Sequence, residues 1–180
     1  LPRAATTGAG NDTLDTSVDG RLGLIAGMFA PEPLALRVQG QLALEIIAVG
    51  SGDTAARYTD VAIELAPDAR LQLVERQLGG AAGEIAAPLA APFICGRLQL
   101  QLGARAELLH TRLQQTADTA LLYDTCTVLL AEQTRYQLRD ITAGAGSARS
   151  TLQIRLAGPD AAAQIVALAA ARDTQRADSQ

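Results

Sequence analysis

Lysine and tryptophan are absent from this chain of 180 residues, histidine and methionine occur once each, and cysteine occurs twice. Without lysine there is no phosphate-binding P-loop, because that loop needs a Lys on the phosphates. The basic residues are all arginine, and a net charge of −4 argues against a nucleic-acid surface, which needs clustered basic groups. Aromatic residues make up only 3% of the chain, too few for a base-stacking platform. One His and two Cys set 31 residues apart cannot supply the close-spaced ligands of the usual zinc sites. Neither a Gly-x-Ser-x-Gly elbow nor a Gly-x-Gly-x-x-Gly turn after a strand occurs. No apolar run approaches the roughly 18 to 20 residues that cross a bilayer, so no membrane span is expected. The chain starts at Leu1 with no basic segment followed by an apolar one, so no secretory signal is expected, and the start suits a trimmed or partial chain.

What is present is a globular balance, with 48% hydrophobic and 19% charged residues. A chain of this length suits one domain that buries about 70% of the surface its unfolded form exposes. One phrase recurs in it: an alternating apolar run ending in Leu, a turn of four or five residues, and a second alternating run. Its copies are Ile63 to Leu73, Leu100 to His110 and Val128 to Leu138, with a weaker fourth from Ile154 to Val166. The Leu before each turn stands at 65, 102, 130 and 156, giving spacings of 37, 28 and 26. Self-similarity of this period marks a solenoid, in which no unit can bury its own apolar face without stacking on the next. Apolar residues at every second position place that face on one side of a strand. The expected fold is therefore all-β, a parallel β-helix (β-solenoid) of stacked rungs roughly 4.8 Å apart, with an incomplete C-terminal end as one expectation.

In chain order, residues 1–17 are small and polar and are expected to form a flexible leader, with 18–180 as the β-helix core domain. Strands are expected at Arg21–Phe29, Leu34–Val38, Leu42–Val49, Tyr58–Leu65, Leu71–Leu78, Phe93–Leu102, Ala106–Leu113, Leu121–Leu130, Thr134–Ile141, Ser150–Leu156 and Gln164–Leu168. Gly50 to Asp53 and Gly144 to Ser147 read as turns, and Gly79 to Pro92 as a loop projecting from the stack. The alanines of Ala161 to Arg172 favour a helix, but Ile165 keeps the place of the rung, so the segment is read as strand. The polar end, Arg172 to Gln180, carries no cap, and an uncapped ladder edge invites pairing with another chain, so the expectation is either that the natural protein continues past Gln180 or that this end is an interface.

Cys95 and Cys126 lie in apolar strand-like runs and read as buried small hydrophobes, ahead of a disulfide or a metal role. His110 occupies the place held by Leu73 and Leu138 in the other copies, so it points inward. A hydrogen-bonded histidine in an apolar stack is the first reading, and a ligand or proton carrier the second. Glu64, Glu75, Glu107 and Asp140 fall on different rungs and read as solvated strand faces, ahead of a paired acid and base.

These residues carry a family resemblance. Arg21 to Glu32 looks like the opening of the SufB/SufD family of iron-sulfur cluster assembly scaffolds, and Leu65 to Arg76 is similar to its first β-helix rung. Ala104 to Gln114 resembles its Gly-Ala-x-Leu-x-His-x-Arg-x-Gln rung. The resemblance runs from Arg21 to Gln180 and is nearer SufD than SufB. It implies a right-handed parallel β-helix that pairs with a SufB-like scaffold and works with a SufC-like ATPase in the cytoplasm, without being an enzyme itself. Ala26 replaces the Asp or Asn of the family's opening, and Arg176 replaces a His near its end. Cys95 and Cys126 do not match the family's cluster-associated positions. The resemblance therefore implies no catalytic, metal or cofactor-binding residue in this chain, and an iron-sulfur cluster only in the assembled complex. A homodimer through exposed strand edges is the further partner expectation. The competing readings on the same fold are a carbohydrate-active β-helix enzyme, which needs acids and bases clustered along a groove, and a self-assembling structural solenoid.

Overall fold

The computed structural model describes residues 18–50, 56–79 and 93–180. The expected leader at 1–17, most of the loop from Gly79 to Pro92, and the turn residues 51–53 lie outside the described residues. Among the described residues one helix, α1 (Val18–Phe29), precedes eleven strands. They are β1 (Leu34–Val38), β2 (Gln41–Gly50), β3 (Ala56–Leu65), β4 (Arg70–Gly79), β5 (Phe93–Leu102) and β6 (Glu107–Thr116). β7 (Leu121–Leu130), β8 (Arg135–Gly144), β9 (Ser147–Leu156), β10 (Ala162–Ala170) and β11 (Arg176–Ser179) complete the series.

The odd-numbered strands form one parallel sheet in the order β1-β3-β5-β7-β9-β11, and the even-numbered strands form a second in the order β10-β8-β6-β4-β2. The chain lays one strand in the first sheet, turns tightly, lays one in the second, and returns one rung higher. This is a parallel β-helix, the expected architecture. The leucines that marked the repeat are partners in register: Val38 pairs with Leu65, Leu65 with Leu102, Leu102 with Leu130, and Leu130 with Leu156. Ile63, Leu100, Val128 and Ile154 make the next inward ladder. Leu71, Leu108 and Tyr136 face them from the second sheet, and these residues share one apolar core.

The tight turns stack as well as the strands. Asp68, Arg105, Gln133 and Asp160 take the same place in four successive turns, each with φ between 56° and 63°. Each of the first three donates its amide to a carbonyl in the following turn: Asp68 to Ala104, Arg105 to Glu132, and Gln133 to Pro159. The left-handed conformation, unfavourable for non-glycine residues, is thus held by a bond to the neighbouring rung.

Strand expectations hold along the stack, with Phe93–Leu102 and Leu121–Leu130 reproduced at both ends. The Ala-rich segment is strand β10, with Ile165 in register with Leu138. Pairing along the whole of β8 outweighs the helical preference of alanine. Two segments differ from expectation. Arg21 to Phe29 belongs to α1 and not to a strand. Its Leu22, Ile25, Ala26 and Phe29 recur at helical spacing, so one side of a helix can be buried. That side lies on the outer face of the first sheet, where Ala26 is fully buried and the Cys95 thiol donates to the Leu22 carbonyl at 3.3 Å. Glycine at position 23 permits the approach, since a Cβ there would stand 2.9 Å from Thr125 Oγ1. The second difference is β11, which pairs with β9 although its sequence is polar. Among the described residues no helix is long and apolar enough to cross a membrane.

Candidate functional site

Inside the helix the two ends of each rung differ. Next to the tight turns the inward residues are Leu, Ile and Val. Farther along the same strands they become polar. In the second sheet Glu75, Arg112 and Asp140 are ladder partners on three successive rungs, and beside them run Gln77, Gln114 and Thr142. The first sheet sets Thr59, Gly96, Asp124 and Ser150 in register. Glycine at 96 leaves room for the acid, because a Cβ there would sit 2.5 Å from Asp124 Oδ1.

Arg112 is the centre of this polar half, with its side chain only 7% exposed. Its Nε donates to Glu75 Oε2 at 3.1 Å, Nη1 donates to Ser150 Oγ at 3.3 Å, and Nη2 pairs with Asp124. Asp140 lies 3.8 Å from Nη1. One guanidinium thus serves three carboxylates on three different strands. Pairing of this kind is what lets charge persist in a low-dielectric interior.

A second line of polar groups leads away from Glu75. His110 Nε2 lies 3.4 Å from Glu75 Oε2, a long and poorly aligned contact, and His110 Nδ1 lies 3.1 Å from the Tyr136 hydroxyl. A carboxylate only accepts, so the imidazole proton belongs on Nε2 and the tyrosine donates to Nδ1. The Cys126 thiol adjoins the same hydroxyl.

The protonation states follow from burial and charge together. Burial alone would raise the pKa of Glu75, but the charge of Arg112, the adjacent His110 and the hydrogen bond from Arg112 outweigh it and hold the acid at about 2. Burial pushes His110 below its ordinary value, with Glu75 offsetting only part of the effect. For Arg112 burial opposes the charge, yet Glu75 and other nearby groups hold it above the usual arginine range. Burial pushes the Cys126 thiol up to about 12 and raises Tyr136 as well. At neutral pH the interior therefore holds ionised Glu75 and Arg112 beside neutral imidazole, thiol and phenol. A thiol so held is a poor nucleophile, since the thiolate is the reactive form.

The expectations for individual residues divide on one point. His110 is inward and fully buried, in contact with polar partners as the first reading had it, and both cysteines are buried and unpaired. Glu64 and Glu107 are exposed and stand 3.6 Å and 3.7 Å from Arg37 and Arg70. Glu75 and Asp140 are not solvated strand faces: their side chains are 14% and 15% exposed and converge on Arg112. The parity of the strands carried this signal. Glu75 keeps step with inward Leu71 and Leu73, and Asp140 with Tyr136 and Leu138, whereas Glu64 and Glu107 fall out of step with their leucines. The same parity marks Gln77, Arg112, Gln114 and Asp124, which sequence reasoning passed over.

A family model described as "SUF system FeS cluster assembly, SufBD core domain" matches residues 47–180, from within β2 through β11. Comparison with the curated proteins and with the solved structures finds no match.

Proposed function

The chain belongs to the SufBD core-domain family of the SUF iron-sulfur cluster assembly system, and we propose that it is a SufD-like, non-catalytic scaffold subunit of a SufBCD-type complex. In this reading it pairs with a SufB-like β-helix protein and works with a SufC-like ATPase in the cytoplasm, where two unpaired thiols are the rule. The cluster is cargo of the assembled complex and not a resident group of this chain. The observation that carries the reading is the span of the family match, which covers the stacked rungs almost from end to end.

Two features support it. Among the described residues, the interior carboxylates Glu75, Asp124 and Asp140 are engaged with Arg112. The outermost strand of the second sheet, β10, presents Ile165, Val166 and Leu168 at 46%, 59% and 62% exposure, and side chains of that kind favour an interface.

Co-purification tests the proposal. The tagged chain is expected to retain a SufB-like scaffold, and with it a SufC-like ATPase. The double substitution Ile165→Lys, Leu168→Lys should release both while leaving the circular dichroism spectrum β-rich. Failure of the unaltered chain to hold either partner would overturn the scaffold reading. Turnover of uronate polymers would replace it with an enzymatic one, and concentration-dependent growth in light scattering with self-assembly.

A further inference from the structure

We propose that the outer face of the second sheet is the contact surface of a closed homodimer, in which β2, β4, β6 and β8 lie face to face on the same four strands of a second copy, with the two helix axes antiparallel. The inference goes beyond the scaffold reading and does not rest on it. It is a contact between faces, not the pairing of strand edges expected from the sequence.

The two sheets differ on their outer sides. α1 packs across β3, β5 and β7 of the first sheet, and among the described residues no helix lies over the second. Strand alternation places an apolar band on that bare face, toward the C-terminal ends of its strands. Ile47, Val49 and Ile141 stand there 48%, 62% and 37% exposed, with Leu78 and Leu113 half-buried between them. A contiguous exposed band of this kind marks an interaction surface.

Charge identifies the occupant. Outward on the four strands are Arg70, Arg76, Arg135, Arg139, Glu45 and Glu107, four arginines and two glutamates with a net charge of +2. The register sets Gln41, Arg70, Glu107 and Arg135 in one row across the sheet, and Glu45, Val74, Thr111 and Arg139 in another. A two-fold axis along the strands, midway between β4 and β6, keeps each row opposite itself while exchanging β2 with β8 and β4 with β6. It sets Arg70 against Glu107 of the second copy, and Glu45 against Arg139 of the second copy, each of them twice. The same operation lays Ile47 on Ile141. The two remaining arginines, Arg76 and Arg135, come to lie over Leu113 and Gln41, so no arginine is set on an arginine. An axis through the middle row, perpendicular to the strands, instead sets Glu45 on Glu45 and Arg139 on Arg139, and like charges in opposition disfavour it. In the favoured arrangement the strands of both copies run the same way, the aligned mode of sheet packing.

The face is large enough. Each of the four strands has ten residues. At about 3.3 Å per residue and about 4.8 Å between strands, the face covers about 600 Å², and two copies bury about 1,200 Å² together, the lower end of the range for specific pairs. β10 falls outside this footprint, so the strand assigned to the scaffold partner stays free.

Sedimentation velocity tests the proposal. The whole chain should form a two-chain particle that grows no further, because a two-fold contact is closed. Arg139→Glu and Glu45→Arg should each weaken association at least tenfold, since each sets like charges in opposition. An equal mixture of the two variants should regain it as a mixed pair, in which both contacts are again of opposite sign. Ile141→Glu should abolish pairing while the circular dichroism spectrum stays β-rich. The double substitution Ile165→Lys, Leu168→Lys should leave pairing unchanged, which separates this surface from the scaffold contact. The proposal is overturned by a chain that stays single up to about 100 μM, by growth past two chains, or by a mixture that pairs no better than its components.

Discussion

The two halves of the interior share one backbone and one rung spacing but are held together differently. Beside the tight turns, Leu65, Leu102 and Leu130 stack with Ile63, Leu100 and Val128, and each contact repeats the one below it. Farther along, a single Arg112 ties Glu75, Asp124 and Asp140 across three strands. An apolar ladder is redundant, since each residue adds burial in proportion to area. A buried charge cluster is not, because removal of one member strands the others. The difference shows where this chain tolerates change and where it does not.

The strongest way to break the comparison is Arg112→Leu. It leaves three acids without a counter-charge and should destabilise the fold by about 3–5 kcal/mol, read by urea unfolding. Leu102→Ala, its counterpart in the apolar half, should cost about 2–5 kcal/mol with an unchanged pH dependence. The size of the two losses overlaps, so pH is the sharper discriminator.

Acid titration should act on the polar half alone. Glu75 has a folded pKa of about 2, below its unfolded value. Its contribution is fully present above the unfolded pKa and is lost as pH falls toward 2, a change of about 3 kcal/mol by linkage. Glu75→Gln should flatten the stability profile in that window. His110 is also depressed, so the unfolded chain takes up its proton first and stability falls as pH drops below the unfolded histidine value. His110→Gln should flatten that upper segment while leaving the lower one in place. The smallest effect is expected outside the helix. Glu107→Gln breaks an exposed contact with Arg70 and should change stability by less than about 1 kcal/mol.

Much of the fold was legible because alternation is a local property. The leucine marks at 65, 102, 130 and 156 gave the rung spacing, and the ladder pairs the same four residues. The site was legible only in part. Parity placed His110 inside, and applied equally to Glu75, Arg112, Asp124 and Asp140 it would have placed them inside too. A charged residue in an inward place looks like an error until its partner is known, and the partners lie 28 to 37 residues away or on the opposite sheet. The segment from Arg21 to Phe29 was misread for another reason. A short apolar run satisfies strand and helix alike, and its glycines gain meaning only against the sheet they cover.

By itself the sequence determined the period of the stack, the face that each side chain takes, and the turns that reverse the chain, because each follows from the stereochemistry of neighbouring residues. Tertiary structure alone decided that one arginine would tie three acids together and that α1 would lie across the first sheet. Those outcomes depend on electrostatic and packing energies between groups distant in the chain, and such energies come into being only when the rungs are stacked.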